Sequence, residues 1–253
     1  GLRVSRLDLR LEDLHLEGDL RIPDLRAPQI IFRAAAPVVD LDRLLRPRRA
    51  RTTWLGPRPA AAAAPPRPAP PGESSLPVQG RLRVADLRYG GLTWRGLEGE
   101  LRYQGGVLRI PSAGAEFMRG RMALSGEVDF RPALPRVMVT TKVAGVATEP
   151  LIKALALGPW SLQSVLTGET ALTFAGLSGP AALGSASGNG VVDVRDGRLR
   201  GYEPLERLAE VVRPFLAAQG VHARLNEFQQ VTGRFTVDKG TLRTTDLTLT
   251  KAE

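Results

Sequence analysis

Side chains able to do acid–base, nucleophilic or metal chemistry are few in this chain and poorly grouped. Among 253 residues there are two histidines, His15 and His222, and no cysteine. Thiolate metal sites, disulfides, Cys nucleophiles and multi-histidine centres are therefore excluded. His15 lies between two leucines, which predicts the polar side of a strand; His222 is expected in a loop. Neither has an evident Ser or acid to orient it as a base, so both are expected at the surface. Glu12 with Asp13, and Asp40 with Asp42, have the residue types for paired-carboxylate chemistry. Asp40 is better explained as the N-cap of a short helix over 41–45. The stretch 184–190, Gly-Ser-Ala-Ser-Gly-Asn-Gly, is Gly-rich but lacks the Lys-Ser/Thr of a P-loop. It is neither GxGxxG nor GxSxG, since its centre is Ala186, and it predicts a turn before a strand at Val191. No catalytic residue, cofactor or metal is expected, and the chain is not expected to be an enzyme.

Charge is the other possible source of function. The chain has 35 Lys and Arg against 26 Asp and Glu, a net charge of +9. Only Lys142, Lys153, Lys239 and Lys251 are lysines. Such a balance attracts nucleic acid, anionic lipid or acidic polysaccharide. An Arg bias beside many Ala, Gly and Pro also follows from a GC-rich genome. The arginines are scattered beside Asp and Glu, and the aromatics, 5% of residues, do not interleave with them as a base-stacking platform requires. No nucleic-acid partner is expected. The densest basic run, Arg46, Arg48, Arg49 and Arg51, reads either as a solvated loop base or as a contact for anionic headgroups.

The elements that must position any site are strands. Period-two alternation recurs at Leu7, Leu9 and Leu11, at Leu20 and Ile22, at Leu82 and Val84, and at Met122, Leu124, Val128 and Phe130. It returns at Val137, Val139 and Val143, at Val192 and Val194, at Phe235 and Val237, and at Leu247 and Leu249. The intervening residues are mostly Arg, Thr, Asp or Glu, which makes sheets with one apolar and one wet face, typically antiparallel. Gly90-Gly91, Gly105-Gly106, Asp196-Gly197 and Lys239-Gly240 read as hairpin turns. Short helices are expected at 41–45, at 149–157 capped by Thr148, and at 203–219, where Leu205, Leu208, Val212, Phe215 and Leu216 form an apolar face that Pro214 should kink. The stretch 56–77 holds eight of the 20 prolines and five consecutive alanines, which predicts a flexible linker loop. The organisation read from these signals is 1–55, the linker 56–77, and 78–253. No run approaches the ~18 apolar residues of a membrane span. The chain opens Gly1-Leu2-Arg3 without a signal peptide, so a fragment or mature segment with its anchor upstream is expected.

The order of these parts resembles the C-terminal region of the AsmA family of bacterial envelope proteins. The matching pieces begin with Ser5-Arg-Leu-Asp-Leu9 through Leu20-Arg-Ile22 to Val38-Val39-Asp40-Leu41-Asp42-Arg43-Leu44-Leu45, before a Pro/Ala-rich linker. They continue with Leu76-Pro-Val-Gln-Gly-Arg-Leu82, Gly106-Val-Leu-Arg-Ile110 and Gly120-Arg-Met-Ala-Leu-Ser-Gly126. The last are Gly188-Asn-Gly190, Val194-Arg-Asp-Gly-Arg-Leu199, Phe228-Gln-Gln-Val-Thr-Gly-Arg-Phe235 and Gly240-Thr-Leu242. The family's N-terminal membrane helix is absent from this sequence, and the family has no catalytic motif to carry over. The resemblance implies a mainly β fold, a curved antiparallel sheet forming a groove with two or three short helices. It implies a non-enzymatic lipid-binding module of the periplasm, anchored in the inner membrane through an upstream helix and related to bridge-like lipid-transfer proteins.

Parity then selects the residues of such a groove. Successive side chains of a strand point to opposite faces. Leu7, Leu9, Leu82, Val84, Met122, Leu124, Val137, Val139, Val192, Val194, Phe235 and Val237 should therefore line one concave apolar surface and touch lipid. The alternative is a closed core beneath the 203–219 helix. Two other functions stay open: a scaffold or chaperone-like factor for outer-membrane assembly working through envelope protein partners, and a polyanion-binding domain.

Overall fold

In a computed structural model, alternation becomes strand almost wherever it occurs; the structure describes residues 1–11, 14–44, 76–154, 158–177, 179–201, 226–244 and 246–250. The strands are β1 (Leu2–Leu11), β2 (Leu14–Ile22), β3 (Ile30–Asp40), β4 (Val78–Tyr89), β5 (Leu92–Gln104), β6 (Val107–Phe117) and β7 (Gly120–Asp129). They continue with β8 (Arg136–Ala147), β9 (Ser161–Ala175), β10 (Ser187–Arg200), β11 (Glu227–Asp238), β12 (Thr241–Thr244) and β13 (Thr248–Thr250). Each pairs with its successor from β1 to β12, and β13 returns to β11, so all thirteen belong to one open sheet. The expected mainly β, curved sheet with short helices is the fold. The helices are α1 (Leu41–Leu44), α2 (Thr148–Ala154) and α3 (Gly179–Ser185). The predicted 203–219 helix, Arg46, Arg48, Arg49, Arg51, His222, the pair Glu12 and Asp13, and 56–75 of the Pro/Ala-rich stretch all lie outside the described residues.

One pairing departs from the antiparallel expectation. β3 and β4 run parallel, in register from Ile30 with Val78 to Asp40 with Arg88. A parallel pair needs a crossover. The connection from Asp40 back to Val78 must cover the length of a twelve-residue strand, about 40 Å at ~3.3 Å per residue. The long connection that contains the Pro/Ala-rich stretch makes that return, and Pro77, at its end, accepts the Ile30 amide through its carbonyl at 2.8 Å.

The turns divide by backbone chemistry. Gly90 and Gly91 have φ of 57° and 77°, Gly105 and Gly106 57° and 80°, and Lys239 and Gly240 48° and 75°. Two consecutive left-handed residues give the two-residue turn that suits twisted strands. Asp196-Gly197 is not a hairpin, contrary to the sequence reading. Only Asp196 is left-handed, φ 53°, and β10 runs through it with a register shift against β9 between Arg195 and Arg198. An extra left-handed residue within a strand that stays paired on both sides makes a bulge, which bends the strand without reversing it. The stretch 184–190 is likewise not a free turn: it ends α3 and begins β10.

The helices sit at strand ends. Asp40 caps α1 as expected, its Oδ1 accepting the Arg43 amide at 3.0 Å. Asp42 accepts the Gly90 amide at 2.8 Å and so ties α1 to the β4–β5 turn. Thr148 does not act as a cap: its buried hydroxyl donates to the Leu162 carbonyl and lies 2.8 Å from Ser164 Oγ, because the side chain points toward β9 rather than along the helix. α3, which was not expected, is held by Ser185, whose Oγ accepts the Ala175 amide at 2.9 Å.

Acid should act at the end of β7. Arg131 donates to both carboxylate oxygens of Asp129 at 2.8 Å, and the Arg131 amide adds a third bond at 3.0 Å. The Arg131 hydrogen bonds hold the Asp129 carboxyl at a pKa of about 2. A depressed folded-state value stabilises above the ordinary range near 4 and loses its effect as pH falls toward 2. Asp129→Asn is expected to flatten the acid limb of a stability–pH profile between about pH 4 and 2; an unchanged limb in chemical denaturation would contradict this.

Candidate functional site

The register places every predicted contact residue on one face. Side chains of directly opposed residues lie on the same side of a sheet. One row runs Leu7, Gly18, Ala34, Leu82, Gly99, Ala113, Leu124, Thr141, Thr170, Gly190, Phe235 and Thr244, partner by partner from β1 to β12. A neighbouring row joins Met122, Val143, Gly168, Val192 and Gly233. Leu9 opposes Leu16, and Val84 opposes Leu97. Val139 continues through Leu172, Gly188 and Val237 to Leu242. Val137 opposes Val128 and Phe174, and Val194 opposes Leu166 and Val231.

This face is the inside of a curl. A Cβ added at Gly18, Gly80, Gly126, Gly168 or Gly188 would lie 2.0–2.7 Å from a carbonyl oxygen of the adjacent strand. All five belong to the apolar face, where strands lean together. Gly114, on the opposite face, would meet its nearest neighbour at 3.8 Å. Rings lie over other glycines, Phe235 on Gly190 and Phe228 on Gly197, an aromatic shielding of weak strand positions. Trp94 stacks on Phe117 at 5.2 Å and donates its indole N–H to Met122 Sδ at 3.0 Å. The curl is strong: β4 and β9 are five places apart in the sheet, yet the Tyr89 hydroxyl reaches the Leu177 carbonyl at 3.4 Å.

Little covers it. Among the described residues, eight hydrophobic side chains are buried: Ala36, Val39, Val84, Val107, Phe117, Val137, Val146 and Ile152. Ala36, Val39 and Val84 form one cluster, with Leu14, Leu16, Leu41, Leu82, Leu87 and Leu97 against it. α1 packs on β4, and α2 and α3 on β9; among the described residues no second sheet packs across the middle of the face. Val84 and Val137 are thereby removed from the accessible set, because their neighbours already enclose them. The other ten predicted residues remain half-buried or, for Leu9, exposed. Leu2, Val4, Leu242, Leu247 and Leu249 extend the apolar surface outward to both edges.

The opposite face absorbs charge in pairs. Arg81 bonds Glu100 at 3.1 Å, Arg83 Glu98 at 3.1 Å, Arg109 Glu127 at 2.8 Å, Lys142 Glu169 at 3.1 Å and Arg198 Glu227 at 2.9 Å. Each pair consists of directly opposed residues of neighbouring strands. Exposed pairs of this kind contribute ~0–1 kcal/mol each; their larger effect is to fix register. His15 is not the unaccompanied histidine of the sequence reading. Its Nε2 lies 2.9 Å from Asp8 and 3.4 Å from Glu17. Hydrogen bonds from Arg10, then His15, hold the Asp8 carboxyl below its ordinary range. The cluster is a surface network without a nucleophile. No group of three or more His, Asp or Glu suited to a metal occurs among the described residues.

Comparison with known proteins found no match. No family model, curated protein or solved structure matches the chain. The sequence could not show that glycines stand between apolar residues within each row across the sheet, because that depends on register.

Proposed function

We propose that the chain is a non-enzymatic lipid-binding module whose concave apolar sheet shields phospholipid acyl chains. The observation that carries this reading is a continuous apolar face over twelve paired strands with no layer packed on its middle among the described residues. Burial of a methylene contributes ~0.8 kcal/mol. A sixteen-carbon chain would gain about 12 kcal/mol if fully enclosed, and roughly half in an open groove. That suits a chain that slides and leaves. The resemblance to the AsmA family supports a setting in the bacterial periplasm, with anchorage in the inner membrane by an upstream helix and a role in lipid transport or homeostasis between the two membranes. Among the described residues no helix is long and apolar enough to cross a membrane, so this anchor would lie elsewhere in the protein.

Native mass spectrometry after mild extraction tests the reading. Co-purified phospholipid, displaced by an added fatty-acyl competitor, is the expected result. A clean apo mass, with no lipid taken up from vesicles, would overturn it in favour of a scaffold acting through protein contacts. Steeply salt-dependent binding of nucleic acid would indicate a polyanion-binding domain instead.

A further inference from the structure

The outer face carries a second feature, independent of the acyl-chain reading. Where β5 to β9 meet α2, it folds into a cleft of about 1510 Å³. Four cations line it: Arg95, Arg119, Arg121 and Lys153. Elsewhere on this face five cations are matched with a directly opposed carboxylate. Here Arg119, Arg121 and Lys153 make no ion pair among the described residues, and Arg95 reaches Asp86 only at 4.0 Å. Arg121 directly opposes Glu116 and still does not bond it.

The turn that presents Arg119 is the second observation. The β6–β7 hairpin turns on Met118 and Arg119, with φ of 46° and 68°. The other two-residue hairpins whose left-handed turns are described contain glycine; this one contains none. Left-handed backbone at a residue with a Cβ is disfavoured, so these two side chains are held at a conformational cost. Both line the cleft. The turn is fastened to the end of β8, just before α2, by the Ala147 amide, which donates to the Met118 carbonyl at 2.9 Å.

We infer that this cleft binds a phosphodiester group of single negative charge joined to an ammonium, the chemistry of a phosphoethanolamine. The guanidinium groups of Arg119 and Arg121 are suited to the phosphate oxygens. Glu116, Glu149 and Asp196 share the lining and give the ammonium its counter-charges. Four cations against three carboxylates disfavour a polyanion such as nucleic acid.

Titration of the whole chain with soluble glycerophosphoethanolamine, followed by phosphorus NMR, is the test. Arg119→Gly is expected to weaken binding at least fivefold while raising the folding constant by roughly fivefold, because glycine relieves the turn. Arg121→Gln with Lys153→Gln should weaken binding at least tenfold with the melting temperature little changed. Unchanged affinity in both variants, or no binding by the unaltered protein, overturns the site; a lower melting temperature for Arg119→Gly overturns the strain argument. Vesicles of phosphatidylethanolamine with phosphatidylglycerol separate the sources. Tighter, Arg119-dependent binding to vesicles identifies a lipid headgroup, and binding of the soluble compound alone identifies a free phosphodiester. Acyl-chain crosslinking on the concave face is read separately, so failure of either idea is distinguishable from failure of the other.

Discussion

Asp at Val139 or Leu124 is expected to leave the circular dichroism spectrum largely intact and to reduce photo-crosslinking to a lipid analogue about tenfold or more, whereas Asp at Val146 or Val84 is expected to unfold the protein. All four positions belong to the same apolar face, so the difference lies in what surrounds each. Val146 is 0% exposed and Val84 2%. A carboxylate there would be buried without a partner, at a cost on the order of 3–5 kcal/mol or more, a large part of the ~5–15 kcal/mol that holds a typical domain. Val139 and Leu124 are half-buried and lie mid-strand. Water reaches a carboxylate at either site, and the strand keeps its ladder. An acyl chain passing over it must strip that water; a loss of ~1.4 kcal/mol is already tenfold in affinity. Unfolding of both Val139→Asp and Leu124→Asp would mean that the face is a closed core. Undiminished crosslinking in folded variants would place the lipid elsewhere.

Why one face could be anticipated and its shape could not is a matter of range. Alternation is local: Leu82 and Val84 declare their common side within three residues, whereas opposed pairs such as Arg81 with Glu100 fix register only once their strands have met. Capping is local too, so Asp40 was legible. The parallel β3–β4 pair was not, since nothing in either strand distinguishes a neighbour in the same direction from one in the opposite direction. Asp196-Gly197 has the composition of a turn but makes a bulge, and Met118-Arg119 makes a turn without its composition. In both places the neighbouring strands decide: β9 and β11 pair with β10 on either side of Asp196, and the last residue of β8, Ala147, fastens Met118. Val84 and Val137 carried the same signal as Val139, and only packing separates enclosed from accessible.

Curvature is the property on which the groove depends most, and glycine positions offer a graded test of it. Gly114→Ala, on the outer face, is expected to be neutral or to stabilise by about 0.5–1 kcal/mol, since a strand position gains a side chain without a clash. Gly105→Ala has open space but φ of 57°, so it should cost ~1–2 kcal/mol of backbone strain. At Gly197 a Cβ would lie 1.9 Å from the Phe228 ring; the ring can swing aside, giving a cost of roughly 1–3 kcal/mol. At Gly80 the obstruction includes the Phe32 carbonyl oxygen at 2.2 Å as well as the Phe32 ring at 2.6 Å. That oxygen belongs to the backbone of the strand beside it, and the parallel β3–β4 joint must open to admit a methyl group. Gly80→Ala is therefore expected to cost about 3 kcal/mol or more, the largest effect of the four and the one that flattens the curl. Thermal or chemical denaturation of the four variants reads the order directly. A Gly80→Ala protein as stable as Gly114→Ala would show that the apolar face is not the crowded inner side, and the acyl-chain groove would lose its geometric basis.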